Sequence, residues 1–287
     1  MHLFNGGLRA ALLALYLTLT VALAAIPSSK RFDLSKPSYN LFRSKSLHEN
    51  SAQQSFAFDN INRRLFVAQL RDGTGATSGD LCITQLDFSG KYLGHMHLNG
   101  FGHGVSFGAQ GTRDGATYLW TEVEANGNGY GKRLARFKWK HGNTLSASAA
   151  ALTKFTPIAG ATERAHGIHR PAGQPAGRPL SAQGRQFKSK VFQGYAAHGS
   201  YLYIMTGTSY EASDGEVNSQ VASIDMNTGK IVQGPTLTNA GSSLLFREPE
   251  GMGVYKTKAG EVRFFLGFAT GKRGDRRSSL FYKDALI

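Results

Sequence analysis

The chain has 287 residues, a length that accommodates one large all-β domain or two ordinary ones, and its 41% hydrophobic content is enough for a sizeable core. Lys and Arg number 33 against 19 Asp and Glu, so the formal net charge is +14, which predicts an acidic partner and carries no information about the fold. The single cysteine, Cys82, excludes a disulfide within the chain. An alternative interpretation of the charge is that it only keeps the protein soluble.

The first 27 residues differ in kind from the rest. A lone Arg9 precedes an apolar run over residues 10–25, which ends in the small-residue pattern Ala22-Leu23-Ala24. The run is too short for a comfortable membrane span and is typical of a secretory signal peptide cleaved near Ala24 or Ala25. Residues 1–25 are therefore interpreted as a signal peptide and the protein as secreted and associated with the cell wall. An uncleaved membrane anchor is the alternative.

Four short triplets recur along the chain, each with a polar residue, a very small one and a large apolar one. They are Gln54-Ser55-Phe56, His103-Gly104-Val105, Gln193-Gly194-Tyr195 and Glu250-Gly251-Met252. After each triplet come short aromatic-rich segments with period-two alternation and turn residues between them. Strand-rich units of about 45 to 50 residues predict the four-stranded blades of a β-propeller over residues 51–287.

The last repeat is one strand short, because it stops near Lys283. Within the N-terminal segment, residues 26–50, the stretch 38–42 is a candidate for the missing strand. Such a strand would close the ring and leave no long sheet edge open.

Residues 159–190 break the regularity, since this stretch is rich in Pro, Gly and basic residues and has almost no alternating apolar run. One further triplet, His166-Gly167-Ile168, predicts that a third blade begins here. The stretch is interpreted either as a degenerate third blade or as an irregular basic loop. The predicted fold class is therefore all-β, a propeller of four-stranded blades.

Several strings resemble one known group of proteins in the same order along the chain. They include Gly79-Asp80-Leu81-Cys82-Ile83-Thr84, Tyr118-Leu119-Trp120-Thr121-Glu122, Phe192-Gln193-Gly194-Tyr195 and Arg247-Glu248-Pro249-Glu250-Gly251-Met252. The group comprises teichoic acid biosynthesis protein C, helveticin J-like bacteriocins and the receptor-binding propellers of phage tail proteins. The resemblance covers roughly residues 32–287 and implies a five-bladed propeller that recognises wall teichoic acid.

Because the first strand of a propeller blade lines the central channel, the first residues of the triplets are expected to form one polar ring. A polar ligand or a water-filled channel would explain five hydrogen-bonding side chains at this level. The candidate ring consists of Gln54, His103, His166, Gln193 and Glu250. Hydration of the channel mouth is the alternative.

Further ligand-binding candidates lie on strand ends or turns near the same level, where aromatic faces would stack on sugars and arginine forks would hold phosphate. Trp120 corresponds to Phe66 and Tyr203 of the sister repeats, which favours the core as its alternative place. The full set is Trp120, Glu122, Arg247, Glu248, Arg276 and Arg277.

No catalytic, cofactor or metal motif is recognised. The nine histidines show no zinc-ligand spacing, residues 72–80 lack the alternating acids of a calcium loop, and Cys82 is interpreted as a small core residue. The sequence therefore predicts no metal and no cofactor.

The predicted function is binding of an anionic cell-wall glycopolymer such as teichoic acid, with peripheral contact to an anionic membrane and no nucleic acid as partner. A helveticin J-like bacteriocin is one alternative. A cell-wall glycan hydrolase is another, with Glu122, Glu248 and Glu250 as its candidate carboxylates. The oligomeric state is not assigned.

Overall fold

A computed structural model describes residues 25–156, 189 and 191–287. In this part of the chain the strands form four antiparallel sheets, which are the blades of a propeller. Blade A contains β2 (Gln53–Asp59), β3 (Arg64–Leu70), β4 (Leu81–Leu86) and β5 (Tyr92–Asn99). Blade B contains β6 (Phe107–Gly111), β7 (Thr117–Ala125), β8 (Gly131–Lys138) and β10 (Thr153–Phe155), while the short β9 (Thr144–Ser146) adds to β5 in parallel.

Blade C contains β11 (Phe192–His198), β12 (Tyr201–Thr206), β13 (Gln220–Asp225) and β14 (Ile231–Leu237). Blade D contains β15 (Glu248–Lys256), β16 (Val262–Lys272) and β17 (Asp275–Lys283), and its outermost strand is β1 (Tyr39–Ser46). The described helical structure is one short turn, Tyr210–Ala212. No helix in the described ranges is long and apolar enough to cross a membrane.

The first strand of each blade is its innermost strand. β11 packs against β15, β15 against β2, and β2 against β6, so the blades follow one another in the order C, D, A, B around the axis. The β-propeller prediction is confirmed. In the sequence, the stretch 157–188 lies between blade B and blade C. The predicted third blade and His166 fall in this stretch, outside the described residues.

The core lies between neighbouring blades, and β3 of blade A buries both of its faces. On β3, Phe66 and Ala68 pack toward blade B, whereas Leu65 and Val67 pack toward blade D. A third cluster, around Tyr203 and Phe264, joins blades C and D. Each fully buried large apolar side chain contributes roughly 1.5–3 kcal/mol, so the blade-to-blade surfaces supply most of the hydrophobic stabilisation.

The N-terminal strand β1 supplies the fourth strand of blade D. It pairs antiparallel with β17, with Tyr39 opposite Tyr282 and Phe42 opposite Leu280. Phe42 is 5% exposed and joins the apolar cluster between blades D and A. Residues 38–42 therefore lie where the sequence analysis expected the strand that the last repeat lacks. The pairing covers an edge that β17 would otherwise expose.

Candidate functional site

Three of the triplets begin their inner strands with the same irregularity. Gln54 lies in a bulge of β2, and Gln193 lies in a bulge of β11, each between consecutive partners on the second strand of its blade. On β15 the register shifts between Pro249 and Met252, which leaves Glu250 and Gly251 in the bulge. A β-bulge re-aims a side chain that a regular strand would send elsewhere. The bulges place these three polar residues at one end of the propeller axis.

The small second residue of each triplet lies where neighbouring inner strands touch. A Cβ added to Gly194 would lie 3.0 Å from the Gly251 Cα, and one added to Gly251 would lie 2.8 Å from the Ser55 Cα. The Ser55 hydroxyl donates a hydrogen bond to the carbonyl of Gly104 in the next blade. The repeat therefore has a physical cause: the inner strands pack backbone to backbone around the axis and leave no room for larger side chains.

Tyr130 joins the polar residues at this end, which sequence reasoning missed. It lies in the loop between β7 and β8, and its ring is 4.9 Å from that of His103. Burial raises the pKa of its hydroxyl, with further contributions from the carboxyls of Glu122 and Glu250. The sequence did contain a signal for Tyr130, because it is an aromatic residue in a loop of glycines and one asparagine, Gly127-Asn128-Gly129-Tyr130-Gly131. We call Gln54, His103, Tyr130, Gln193 and Glu250 the axial site.

The two axial glutamines use their amide groups differently. The Gln193 Nε2 donates to the Gly207 carbonyl at 2.9 Å, while the Gln54 Nε2 makes only long contacts of 3.4 Å to local carbonyls. Gln53 joins the blades instead, because its Nε2 donates to the Glu250 carbonyl at 2.9 Å and its Oε1 accepts from Ser278 at 2.5 Å. Gln54 is thus the less constrained of the two axial amides.

Glu250 is the most unusual group of the axial site. The residue is 6% exposed, and no described residue donates a hydrogen bond to its carboxyl. Burial raises its pKa well above the ordinary value for glutamate, and the neighbouring Glu248 carboxyl adds to the shift. A protonated carboxyl both donates and accepts, so this group is suited to the hydroxyls of a polar ligand.

The Glu122 carboxylate holds backbone groups of two neighbouring turns. Its Oε1 accepts from the backbone N–H groups of His103 and Gly104 at 3.0 and 2.8 Å, and its Oε2 accepts from Gly131 at 2.8 Å. Burial raises its pKa, and these hydrogen bonds act against that shift. The carboxylate shapes the turns that carry His103 and Tyr130, and its assignment as a ligand-binding or hydrolytic residue stays a prediction.

Arg247 is also structural. It is 1% exposed, and its guanidinium donates to the carbonyls of Thr238 and Ala240 and to the Ser219 hydroxyl over 2.8–3.0 Å. Burial lowers its pKa to about 10. The side chain ties the start of β15 to blade C, and its predicted role in phosphate binding stays a prediction.

The remaining acidic and basic candidates lie near the hairpin between β16 and β17. Arg276 lies 3.3 Å above the Phe246 ring centre and 3.6 Å from Glu211, and Arg277 pairs with Asp275 at 3.0 Å. Burial raises the pKa of the Glu248 carboxyl, whereas the charge of Arg276 lowers it. Glu248 pairs with Ala269 on β16, so this basic hairpin projects from the same end of the propeller as the axial site.

Trp120 lies away from this end, half-buried on the face of blade B that is opposite Leu119. Its Nε1 donates to Gln110 at 3.1 Å, and its ring stacks on Phe155 at 5.2 Å. Among the described residues, Trp120 contacts neither the axial residues nor a buried apolar cluster between two blades. The alternation along β7 turns Leu119 toward blade A and Trp120 to the other side.

Replacing Glu250 by Gln is expected to stabilise the protein at neutral pH. The folded state binds the Glu250 proton more tightly than the unfolded state, whose pKa is about 4.3, so the free energy of unfolding falls as pH rises above that value. We expect Glu250→Gln to raise the free energy of unfolding by about 1–3 kcal/mol at pH 7 and to change it little near pH 4, in urea denaturation. The exposed Glu216→Gln is the control, and an equal effect of Glu250→Gln at both pH values would contradict the assignment.

Comparisons with known proteins agree with this fold. The chain is 24% identical over 286 residues to the Bacillus subtilis (strain 168) protein assigned the name major teichoic acid biosynthesis protein C, covering 87% of this chain and 63% of that protein. The tail fiber of Staphylococcus aureus phage P68 shares the fold, with a TM-score of 0.55 and 17% identity over 89% of this chain and 52% of the fiber. The chain thus spans less than two thirds of either protein.

The family model of the phage five-bladed β-propeller receptor-binding platform domain matches residues 52–170 and 183–282. This match includes all inner strands of the four described blades and most of the stretch between blades B and C. It extends over well more than half of the chain. The chain therefore belongs to the family of phage five-bladed β-propeller receptor-binding platform domains.

Proposed function

We propose that this protein is a secreted propeller whose axial site binds an anionic cell-surface glycopolymer of the teichoic acid class. The observation that carries the proposal is the buried Glu250 carboxyl, which no described residue satisfies, beside the amides of Gln54 and Gln193. Ligand hydroxyls would supply the hydrogen bonds that the described residues do not give this carboxyl. The family of the chain and the name of its Bacillus subtilis relative support the same class of ligand.

The axial site and the basic hairpin would contact different parts of such a polymer. The axial site offers amide and carboxyl groups, which suit the polyol or sugar hydroxyls of such a polymer. Lys272 and Arg273 are exposed at the hairpin tip, where they are available to phosphate groups. The formal net charge of +14 adds a long-range attraction that salt weakens.

Retention on purified cell walls tests the ligand class. We expect the protein to sediment with walls that carry teichoic acid and to stay in solution with walls from which it has been stripped. Retention should fall as salt is raised, because the attraction between the basic surface and phosphate is screened. Equal retention on stripped walls would contradict the proposal, and release of reducing ends would favour the glycan hydrolase instead.

Substitution of Glu250 tests the site. We expect Glu250→Ala to weaken binding to soluble teichoic acid about 10- to 100-fold, since it removes a hydrogen-bonding group worth roughly 1–3 kcal/mol. The control is Glu261→Ala, because Glu261 is exposed in the turn between β15 and β16, at the opposite end of the axis. Isothermal titration calorimetry measures both affinities. Equal affinities for the two variants would place the ligand elsewhere.

A further inference from the structure

Four side chains with metal-binding atoms meet at the outer part of blade A. The ligand atoms of His48, Glu49, Cys82 and His97 all lie within 4.8 Å of one another. Cys82 on β4 is paired directly with His97 on β5, in the row that begins with Gln53 on the inner strand. Three strand spacings of about 4.8 Å place His97 roughly 14 Å from that strand. The cluster is therefore separate from the axial site.

Backbone hydrogen bonds hold the other two ligands over this row. The loop after β1 crosses the face of blade A, and the His48 N–H donates to the Thr84 hydroxyl at 3.1 Å. The buried Gln69 side chain accepts from the Glu49 N–H at 3.3 Å and donates to the Glu49 carbonyl at 3.0 Å. These contacts position His48 and Glu49 without any help from a metal.

The donors have the chemistry and nearly the spacing of a zinc site. Two imidazoles, a thiol and a carboxylate are all ligands that Zn²⁺ accepts in tetrahedral sites. The His97 Nε2 lies 3.1 Å from the Glu49 Oε1, close to the edge of about 3.3 Å for a tetrahedron with bonds of about 2.0–2.1 Å. Movements of an ångström or so would bring the remaining donors to the same spacing.

Neighbouring rings orient the exposed member of the cluster. The His48 ring stacks on that of His95 at 3.5 Å, and the Tyr92 hydroxyl lies 2.6 Å from the His95 Nδ1. Such outer contacts fix ligand rings in known metal sites. The alternating pair His95-Met96-His97 on one strand was the sequence signal, but the other ligands come from distant segments, so spacing alone did not reveal the site.

We propose that His48, Glu49, Cys82 and His97 bind one Zn²⁺-like divalent ion, with Cys82 as a thiolate whose proton is released to solvent. The ion would join the loop that follows β1 to the outer strands β4 and β5 of blade A. Because the loop residues His48 and Glu49 meet Cys82 and His97 only when blade A is folded, metal binding would stabilise this blade and the loop packed on it.

Titration of metal-free protein without a histidine tag tests the proposal. We expect one Zn²⁺ per chain, an increase in Tm, and, with Co²⁺, a thiolate-to-metal charge-transfer band and the visible bands of tetrahedral coordination. Cys82→Ala should abolish the charge-transfer band, and Glu49→Gln and His97→Ala should each weaken Zn²⁺ binding more than about 100-fold. His198→Gln is the control, since His198 lies in blade C against Phe32.

Circular dichroism of the metal-free variants separates loss of ligand from loss of fold. Variants that match the wild-type spectrum and melt at the metal-free Tm, but gain no stability from Zn²⁺, would support the site. The assignment would be overturned if the Co²⁺ complex lacked the charge-transfer band, or if the protein did not bind one Zn²⁺ per chain. It would also be overturned if His198→Gln lowered the Zn²⁺ affinity as much as the ligand variants do.

Discussion

Arg247→Ala is expected to lower the free energy of unfolding by about 3–5 kcal/mol, the range found when one member of a buried charged network is removed. The guanidinium donates to two carbonyls and a hydroxyl of blade C and lies 4.5 Å from the ring centre of Phe268. Its loss leaves these acceptors buried without donors and opens a cavity. Urea denaturation measures the difference.

Arg277→Ala is the matched control for this prediction. The Arg277 side chain is 40% exposed, and among the described residues it forms an ion pair with Asp275 alone, so we expect a change within about 0.5 kcal/mol. Arg247→Lys should lower the free energy of unfolding by an amount between those of Arg247→Ala and Arg277→Ala. An ammonium group lacks the wide planar fork with which the guanidinium reaches all three acceptors. Equal stabilities of Arg247→Ala and Arg277→Ala would mean that Arg247 does not join blades C and D.

Gly251→Ala is expected to destabilise the protein by about 2–5 kcal/mol, for two reasons that can be separated. The backbone of Gly251 has φ of +81°, which costs a residue with a Cβ roughly 1–2 kcal/mol. The new Cβ would also lie 2.8 Å from the Ser55 Cα, and overpacking of this kind costs about 1–3 kcal/mol more. Thermal and urea unfolding measure the sum.

Gly260→Ala isolates the first of these effects. Gly260 has φ of +91°, but no atom lies within 4 Å of the position that its Cβ would take. We expect Gly260→Ala to lower the free energy of unfolding by the backbone contribution alone, about 1–2 kcal/mol. If the two alanine variants were equally stable, the close approach of inner strands would not explain why the triplets have a small second residue.

Much of the architecture was predictable because its causes are local. Alternating apolar residues and glycine-containing turns define each strand, and the recurrence of the triplet defines the blade. The incomplete last repeat even indicated where its missing strand comes from. Of the axial site, Gln54, Gln193 and Glu250 were found because each follows the same local pattern, and three bulges put them in equivalent positions.

The contacts of the candidate site residues were not predictable, because residue type does not reveal the partner of a side chain. Glu122 and Arg247 have the chemistry of binding residues, but their polar atoms are occupied by backbone groups from other segments. Tyr130 was not predicted, because it lies in a loop outside the repeated triplets. His48 and Glu49 lie close to Cys82 and His97 because the loop after β1 crosses blade A.

The sequence by itself determined the strands, the repeat and therefore the propeller, since period-two burial and turn chemistry act over a few residues. It also determined which positions around the axis are polar and which are small. Only the tertiary structure decided which polar groups remain available to a ligand and which hold the blades together. That distinction depends on contacts between residues far apart in the chain, and hydrogen bonds such as those of Arg247 exist only once the blades have packed.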